Sequence, residues 1–225
     1  MIPTNGRRGT AARAPLVGIL LLPFFAMKNL LLPSRYLLLA VGLFLSAPAL
    51  WSCNTETPIQ KSLREHENLM KRIDEDTIRN YLTRNSLITK ATRTNSGLYV
   101  VPLTEGQGTP VTAGKKVRVK YIGRFLSNGA QPGTSGYPAS PGDARFPVGA
   151  IFDNTANNRT ACGCAVLTQG GDLVAGFNEG LLLMRQGERK LLLIPSRLGY
   201  GVRGSQGAIP PDAALLFDIE VLEVY

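Results

Sequence analysis

The last part of the chain carries the pattern that most restricts its fold. A short helix pattern over residues 177–184 is followed by an apolar strand pattern over 191–194 and a closing strand pattern over 215–221. In the closing pattern apolar side chains alternate with acidic ones, so one face of that strand is predicted to be buried and the other to face water. Several strands with a single short helix predict an α+β fold, in which a curved antiparallel β-sheet wraps around the helix.

Earlier strand patterns extend this sheet. Residues 97–101 and 117–123 have strand patterns, and turn signals bound both of them. Along the second pattern apolar and basic side chains alternate, which again predicts one buried face. A loop rich in Gly, Pro, Ser and Ala at 127–149 interrupts the sheet, and residues 151–154 resume it.

The composition changes along the chain predict four regions. These are a signal-peptide region at 1–52, a tether and the start of a helix at 53–72, a helical segment at 73–94, and a main domain at 95–225 with a loop insertion at 127–149.

The segment before the main domain has helical spacing. Apolar residues recur at helical intervals from Ile59 to Leu82, with Asp74 or Asp76 able to cap a second helical segment and Asn85 near its end. The polar residues 54–62 are predicted to form the tether. The helical segment fits a spacer, a dimerisation helix or a pad packed on the main domain, and the sequence does not choose among them.

The N-terminal residues resemble an export signal. From Met27 a charged stretch precedes an apolar run at 36–50 that is too short to span a bilayer comfortably. The ending Leu-Trp-Ser-Cys at 50–53 resembles the lipobox of bacterial lipoproteins, in which the cysteine takes a diacylglyceryl group. The resemblance implies that the protein is exported. It also implies that Cys53, once lipidated, anchors the protein to a bacterial membrane, at the outer membrane or the periplasmic face. A signal peptide cleaved nearby, with Cys53 left as a free thiol, is the alternative.

A second apolar run precedes Met27, and a signal peptide does not need it. We therefore expect translation to start at Met27.

The charge of the chain does not favour nucleic-acid binding. The formal net charge is +9, but five of the 25 basic residues precede Cys53, which leaves 20 basic against 16 acidic residues. The remaining basic residues are dispersed, without the stripe that follows a phosphate backbone. Nucleic acid is therefore not expected as a partner.

Residues suited to metal or nucleophile chemistry are few. The chain has three cysteines and one histidine, and His66 lies in a polar helix-like run where a solvated surface position is expected. Cys162-Gly163-Cys164 offers two ligands, which is half a zinc site, so a disulfide or two free thiols is expected there. We predict neither a metal nor another cofactor.

A longer set of motifs supports a family resemblance. In chain order they are Gly176–Met184, Gly187–Lys190, Ile194-Pro195, Leu198–Gly201, Gly204, Ile209–Ala213 and Leu216–Val221. Their order and spacing resemble the second half of an FKBP domain, and the first half is matched by Val119–Gly123 and Phe152–Asn154. The resemblance covers residues 96–225. It implies an FKBP-like fold and a peptidyl-prolyl cis/trans isomerase that assists the folding of exported proteins, with proline-containing polypeptides and macrolide inhibitors as partners.

The resemblance also implies which residues form the site. Rotation about a prolyl bond transfers no proton and makes or breaks no covalent bond. A dry apolar cup with one or two hydrogen-bond donors is therefore enough to catalyse it. The apolar positions of the cup are Phe152, Leu173, Val174, Phe177, Ile209 and Phe217. The catalytic positions are Tyr121, Asp153 and Tyr200. Asp153 is expected to face the Tyr121 hydroxyl, and the Tyr200 hydroxyl is expected to donate to the substrate carbonyl.

Three departures from the family pattern leave alternatives open. Phe177 stands where a tryptophan is usual, the aromatic residue expected before Leu173 is missing with Cys164 near its place, and Ser205 and Ala208 are small. A membrane-anchored chaperone or binding module with little turnover is therefore the alternative to an active isomerase. A lipid-anchored structural protein that acts through its N-terminal helix is a third. The 127–149 loop lies where it can overhang the cup and select the substrate.

Overall fold

The computed structural model describes residues 56–133, 136–158 and 160–225. The predicted signal peptide, the start at Met27 and lipid attachment at Cys53 lie outside the described residues. Within those ranges no helix has both the length and the apolar character needed to cross a bilayer.

Helix α1 spans Pro58–Arg84 as one uninterrupted element. A capping box closes its N-terminus: Gln60 N donates to Thr57 Oγ1 at 3.2 Å, and Thr57 N donates to the Gln60 side-chain oxygen at 2.9 Å. Asn85 caps the other end, where its N–H and its side chain both donate to backbone carbonyls of the last turn. The helix therefore begins inside the segment that the composition predicts as a tether.

The buried face of α1 differs from the predicted apolar stripe. Every fourth residue along it is buried, namely His66, Met70, Asp74, Ile78 and Leu82. Ile59 and Leu63, which open the predicted stripe, are 73% and 47% exposed. The prediction of a solvated His66 is wrong, because His66 belongs to the buried face. The prediction of a second helical segment capped by Asp74 or Asp76 is also wrong, because α1 continues without a break through both positions.

The strands form two antiparallel sheets. The strands are β1 (Thr92–Arg93), β2 (Tyr99–Thr104), β3 (Lys116–Phe125), β4 (Ala130–Gln131), β5 (Ser140–Pro141), β6 (Ile151–Asn154), β7 (Ala165–Thr168), β8 (Arg189–Ile194) and β9 (Leu215–Val224). The main sheet has the order β1-β2-β8-β9-β3-β6, and β7 also pairs with β3. Strands β4 and β5 form a small hairpin within the predicted 127–149 loop.

Helix α2 (Ala175–Leu182) is the short helix on which the sheet packs, and the α+β prediction is confirmed. Two of its glycines allow a close approach to β8. A Cβ at Gly176 would lie 2.6 Å from Ile194 Cγ2, and a Cβ at Gly180 would overlap the Leu192 side chain. These positions bring α2 close against β8 along most of its length.

Two apolar cores lie on opposite faces of the sheet. Successive residues of β2, β8 and β9 alternate between the cores, because neighbouring side chains of a strand point to opposite faces. Leu192 belongs to the core around α2, whereas Leu193 belongs to the core that contains Ile78 and Leu82 of α1. Helix α1 is therefore packed on the main domain, one of the three roles that the sequence leaves open.

Candidate functional site

An aromatic cluster lines the face of the sheet that packs on α2. The ring of Phe217 lies at its centre, with centroid distances of 5.0 Å to Phe177, 5.5 Å to Phe152 and 5.9 Å to Tyr121. All three contacts are edge-to-face, an arrangement that aromatic pairs favour. Phe177 and Phe217 are buried, while Phe152 and Tyr121 are partly exposed. The cluster thus forms an apolar floor with partly open walls.

Two further segments complete the apolar cup. Leu173 and Val174 precede α2 and pack, partly exposed, against the same core, and Ile209 is buried in it. Tyr200 lies in the irregular segment after β8 and is 39% exposed. All six apolar positions that the resemblance implies therefore belong to one cluster, with Tyr200 on the segment that also carries Ile209.

The polar side of the cup is a hydrogen-bonded pair. The Tyr121 hydroxyl, on β3, donates to Asp153 Oδ2, on β6, at 2.7 Å. This is the contact that the resemblance predicts. Burial raises the pKa of the Tyr121 hydroxyl, and the Asp153 carboxylate raises it further. The phenol therefore stays protonated and keeps donating to Asp153 at physiological pH.

Tyr200 is held in the same protonation state. Burial, and then the charge of Asp153, raise the pKa of its hydroxyl above the usual value of a tyrosine. A protonated phenol that is partly open to solvent can donate a hydrogen bond to a carbonyl oxygen. This is the chemical property that the site requires of Tyr200.

Gly123 allows two rings of the cup to approach β3. A Cβ at this position would lie 2.7 Å from Phe152 Cζ and 3.0 Å from Phe217 Cε1. Gly123 belongs to one of the sequence motifs, but the family resemblance implies no role for it. The signal was present, since a glycine inside a strand pattern marks a close approach.

Thr155 holds the backbone of Tyr121, and sequence reasoning missed it. On one edge, β3 pairs with β7 up to Val119 and with β6 from Ile122 onward, which leaves a gap at Tyr121. The buried Thr155 hydroxyl fills that gap: it accepts from Tyr121 N at 3.1 Å and donates to Tyr121 O at 3.3 Å. One threonine thus replaces two hydrogen bonds of the ladder.

The 127–149 insertion adds an aromatic residue behind the cup. Phe146 packs on Phe125, with ring centroids 5.5 Å apart, and Phe125 packs on Phe152 at 4.9 Å. Residues of the insertion also line a groove of about 480 Å³ together with Val202 and 210–212. The insertion is thus packed beside the segment that carries Ile209, and its selection of substrates stays a prediction.

Cys162 and Cys164 form a disulfide, one of the two states expected for this pair. Cys164 is buried at the place where the sequence lacks an aromatic residue. Within the described ranges, no group of three or more His, Cys, Asp and Glu side chains is arranged to hold a metal ion.

Comparison with known proteins relates the chain to one family. The model of the family described as FKBP-type peptidyl-prolyl cis-trans isomerase matches residues 107–222. The chain is 34% identical over 130 residues to an FK506-binding protein of Neisseria meningitidis serogroup B, covering 57% of this chain and 97% of that protein. It is 30% identical over 131 residues to a probable FKBP-type peptidyl-prolyl cis-trans isomerase of Haemophilus influenzae, covering 58% of this chain and 44% of the relative.

The fold has a counterpart among solved structures. FkpA from Escherichia coli is 22% identical, with a TM-score of 0.50, and the likeness covers 86% of this chain and 82% of that one. At this identity the likeness shows a shared fold alone.

Proposed function

Because the chain belongs to the family of FKBP-type peptidyl-prolyl cis-trans isomerases, we propose that the aromatic cup with its Tyr121–Asp153 pair is the site where a prolyl bond rotates. The protein is a peptidyl-prolyl isomerase that assists protein folding. The observation that supports this assignment is that eight of the nine expected positions, all except Tyr200, come from six separate segments and meet in one apolar cluster with one hydrogen-bonded polar edge.

The barrier that the site must lower is one of amide resonance. Rotation about the C–N bond costs about 18–20 kcal/mol in water, because the planar amide loses its partial double bond. The twisted amide is less polar than the planar one, so it loses less solvation free energy on leaving water. An apolar cup that excludes water therefore favours the transition state over the ground state.

The apolar residues supply that environment. We assign Phe177 and Phe217 to the floor, where they receive the proline ring, and Phe152, Leu173, Val174 and Ile209 to the walls. This division follows from burial, because the floor residues are covered while most wall residues keep exposed surface.

The polar residues orient the peptide. We assign Tyr200 as the donor to the substrate carbonyl, since its hydroxyl is protonated and partly open to solvent. Asp153, held by Tyr121, forms the polar wall. No residue has to give up a proton during rotation.

An exchange assay on a short X-Pro peptide tests these assignments. We expect the wild type to accelerate cis/trans exchange, and Tyr200→Phe to lower kcat/KM by about two- to tenfold, the value of one neutral hydrogen bond. Tyr225→Phe is the matched control, because Tyr225 is 44% exposed and donates to Glu223, at the end of the chain. Asp153→Ala should also lower the rate.

Two outcomes would contradict the proposal in different ways. Equal exchange rates with and without the protein would favour the alternative, a chaperone or binding module that keeps the fold, and the smaller floor at Phe177 is the feature that favours it. Equal loss in Tyr200→Phe and Tyr225→Phe would remove Tyr200 from the site.

We also propose that the cup binds FK506-like macrolides. Relatives at 34% identity are named FK506-binding proteins, and the cup of this chain offers an apolar floor beside a hydrogen-bonded polar edge. A titration with FK506 that displaces an X-Pro peptide would support the proposal, whereas binding without displacement would place the macrolide elsewhere.

For its location, we propose an exported protein attached to a bacterial membrane through lipidated Cys53. The support is the apolar run and the Leu-Trp-Ser-Cys ending at 50–53. Since α1 starts at Pro58, behind a cap at Thr57, only residues 54–56 would separate the lipid from the helix cap. Loss of membrane association and of labelling by a fatty-acid probe in Cys53→Ser would support the anchor. A Cys53→Ser protein that fractionates like the wild type would contradict it.

A further inference from the structure

The segment that carries Tyr200 and Ile209 has little regular structure of its own. We name residues 196–212 the site loop. Its regular elements are two short 3₁₀ turns, Ser196–Leu198 and Gly201–Arg203, and one isolated bridge between Ser205 and Ile209. Contacts with the rest of the protein must therefore set its position.

Helix α1 binds the site loop at its first residue. Ser196 N and Ser196 Oγ both donate to Asp74 Oδ2, at 2.8 and 2.7 Å. Asp74 is 1% exposed, so these hydrogen bonds are shielded from water. Charge-assisted hydrogen bonds are stronger than neutral ones, and burial strengthens them further.

Helix α1 also binds the last residue of the site loop. His66 Nε2 lies 3.0 Å from Asp212 Oδ2, a distance at which the ring N–H donates to the carboxylate, and both side chains are buried. The Asp212 backbone has φ +57°, which is rare outside glycine, and its N–H donates to Gly201 O at 2.9 Å. A non-glycine residue holds this conformation only where its surroundings enforce it.

The two contacts flank an open groove between α1 and the site loop. This groove, of about 400 Å³, is lined by Leu63 and Met70 from α1 and by Val202 from the site loop. Apolar packing is therefore incomplete here, and the hydrogen bonds at Ser196 and Asp212 are direct links between the two elements.

Burying these polar groups is costly. Among the described residues, no protein group forms a hydrogen bond with His66 Nδ1 or Asp74 Oδ1. Apolar residues at both places would continue the stripe of α1 without that cost. Stability of the helix alone does not explain two polar residues that each contact one end of the same loop.

We propose that His66 and Asp74 are positioning residues for prolyl isomerisation, which clamp the two ends of the site loop and so hold Tyr200 and Ile209 at the cup. This rests on the proposed function of the cup. The insertion joins the clamp through Tyr137, whose ring stacks on His66 with centroids 3.7 Å apart. The residues of α1 lie outside the region that the family model matches, which starts at residue 107.

Three substitutions in the full chain test the clamp. Asp74→Leu removes the acceptor for Ser196, while Asp74→Asn keeps a side-chain oxygen at that place. His66→Phe keeps a ring against Tyr137 and removes the hydrogen bond to Asp212. The matched control is Leu82→Ala, also buried on α1 but packed in the core on the far face of the sheet.

The readouts are kcat/KM on an X-Pro peptide, the thermal midpoint, and amide hydrogen exchange of peptides from 197–211. We expect Asp74→Leu and His66→Phe to lower kcat/KM about fivefold or more, since small misplacements of a site are costly, and to speed exchange in the site loop. Asp74→Asn should stay within about twofold of the wild type. Leu82→Ala should lower the thermal midpoint and leave kcat/KM and loop exchange unchanged.

Several results would overturn the proposal. One is a wild-type kcat/KM in His66→Phe, whether or not Asp74→Leu folds. Another is an equal loss in Asp74→Asn and Asp74→Leu, because the oxygen acceptor would then not matter. If the wild type itself has no turnover, the proposed function fails, and loop exchange still decides the clamp: faster exchange in the variants supports it, and unchanged exchange refutes it.

Discussion

Asp74 makes the stability of this protein depend on pH in an unusual direction. Burial is the largest effect on its carboxyl group and raises the pKa from 3.8 to about 6, although the two hydrogen bonds from Ser196 oppose the shift. Asp212 raises the pKa further and Arg197 lowers it. The folded state therefore holds a proton on Asp74 at pH values where the unfolded chain has lost it.

The sign of the effect follows from proton binding. Below about pH 3.8 both states are protonated, and the contribution of Asp74 to stability is fully present. Between that pH and about 6 the folded state binds more protons, so rising pH favours unfolding. One pKa unit corresponds to about 1.4 kcal/mol, which sets the total loss on the order of 3 kcal/mol.

Asp74→Asn isolates this contribution, because an amide does not titrate. The free energy of unfolding would be measured by urea denaturation from pH 3.5 to 7.5 for the wild type and the variant. As the pH rises through this range, we expect the free energy of unfolding of the variant to increase relative to that of the wild type by on the order of 3 kcal/mol. The matched control is Asp143→Asn, since the hydrogen bond from Arg145 lowers the pKa of Asp143. The free energy of unfolding of Asp143→Asn should therefore fall relative to that of the wild type as the pH rises.

Parallel pH curves for the wild type and Asp74→Asn would refute the argument from burial. If the wild type instead becomes more stable relative to Asp74→Asn as the pH rises, the hydrogen bonds from Ser196 outweigh desolvation. Either result would be visible without any assumption about catalysis.

Three further substitutions test local features of the fold. Thr155→Val should lower the free energy of unfolding in urea by about 1–3 kcal/mol for each Tyr121 backbone group left without a partner. Thr155→Ser keeps the hydroxyl and should restore most of that loss. Equal stability of the two variants would exclude the role of the hydroxyl. Gly180→Ala should cost about 1–3 kcal/mol by overpacking against Leu192, and a stabilised variant would show that the helix can move away. Thr57→Ala should cost about 0.5–2 kcal/mol by removing the α1 cap, and an unchanged thermal midpoint would mean that the first turn of α1 adds nothing to global stability.

Strand periodicity predicts the sheet because it depends on local patterns, whereas the cup positions are implied by the family resemblance that the order of the motifs carries. The alternation in β3 and β9 reports which face is buried, and the order of motifs from Val119 to Val221 corresponds to residues that converge on one cup. The continuous apolar run in β8 carried one more signal. A strand that is apolar on both faces needs a cover on each face, so Leu191 and Leu193 already required a second packing element such as α1.

The sequence by itself predicted the family from the order of its motifs and five strands of the main sheet from apolar periodicity, since both are properties of neighbouring residues. The cup positions were implied by the family resemblance. Only the tertiary structure decided the roles of Thr155, His66 and Asp74. His66 and Asp74 resemble surface residues of a polar helix, because a buried polar residue is recognised by its partner and not by its neighbours. Their partners lie 146 and 122 residues away, and folding alone brings them together.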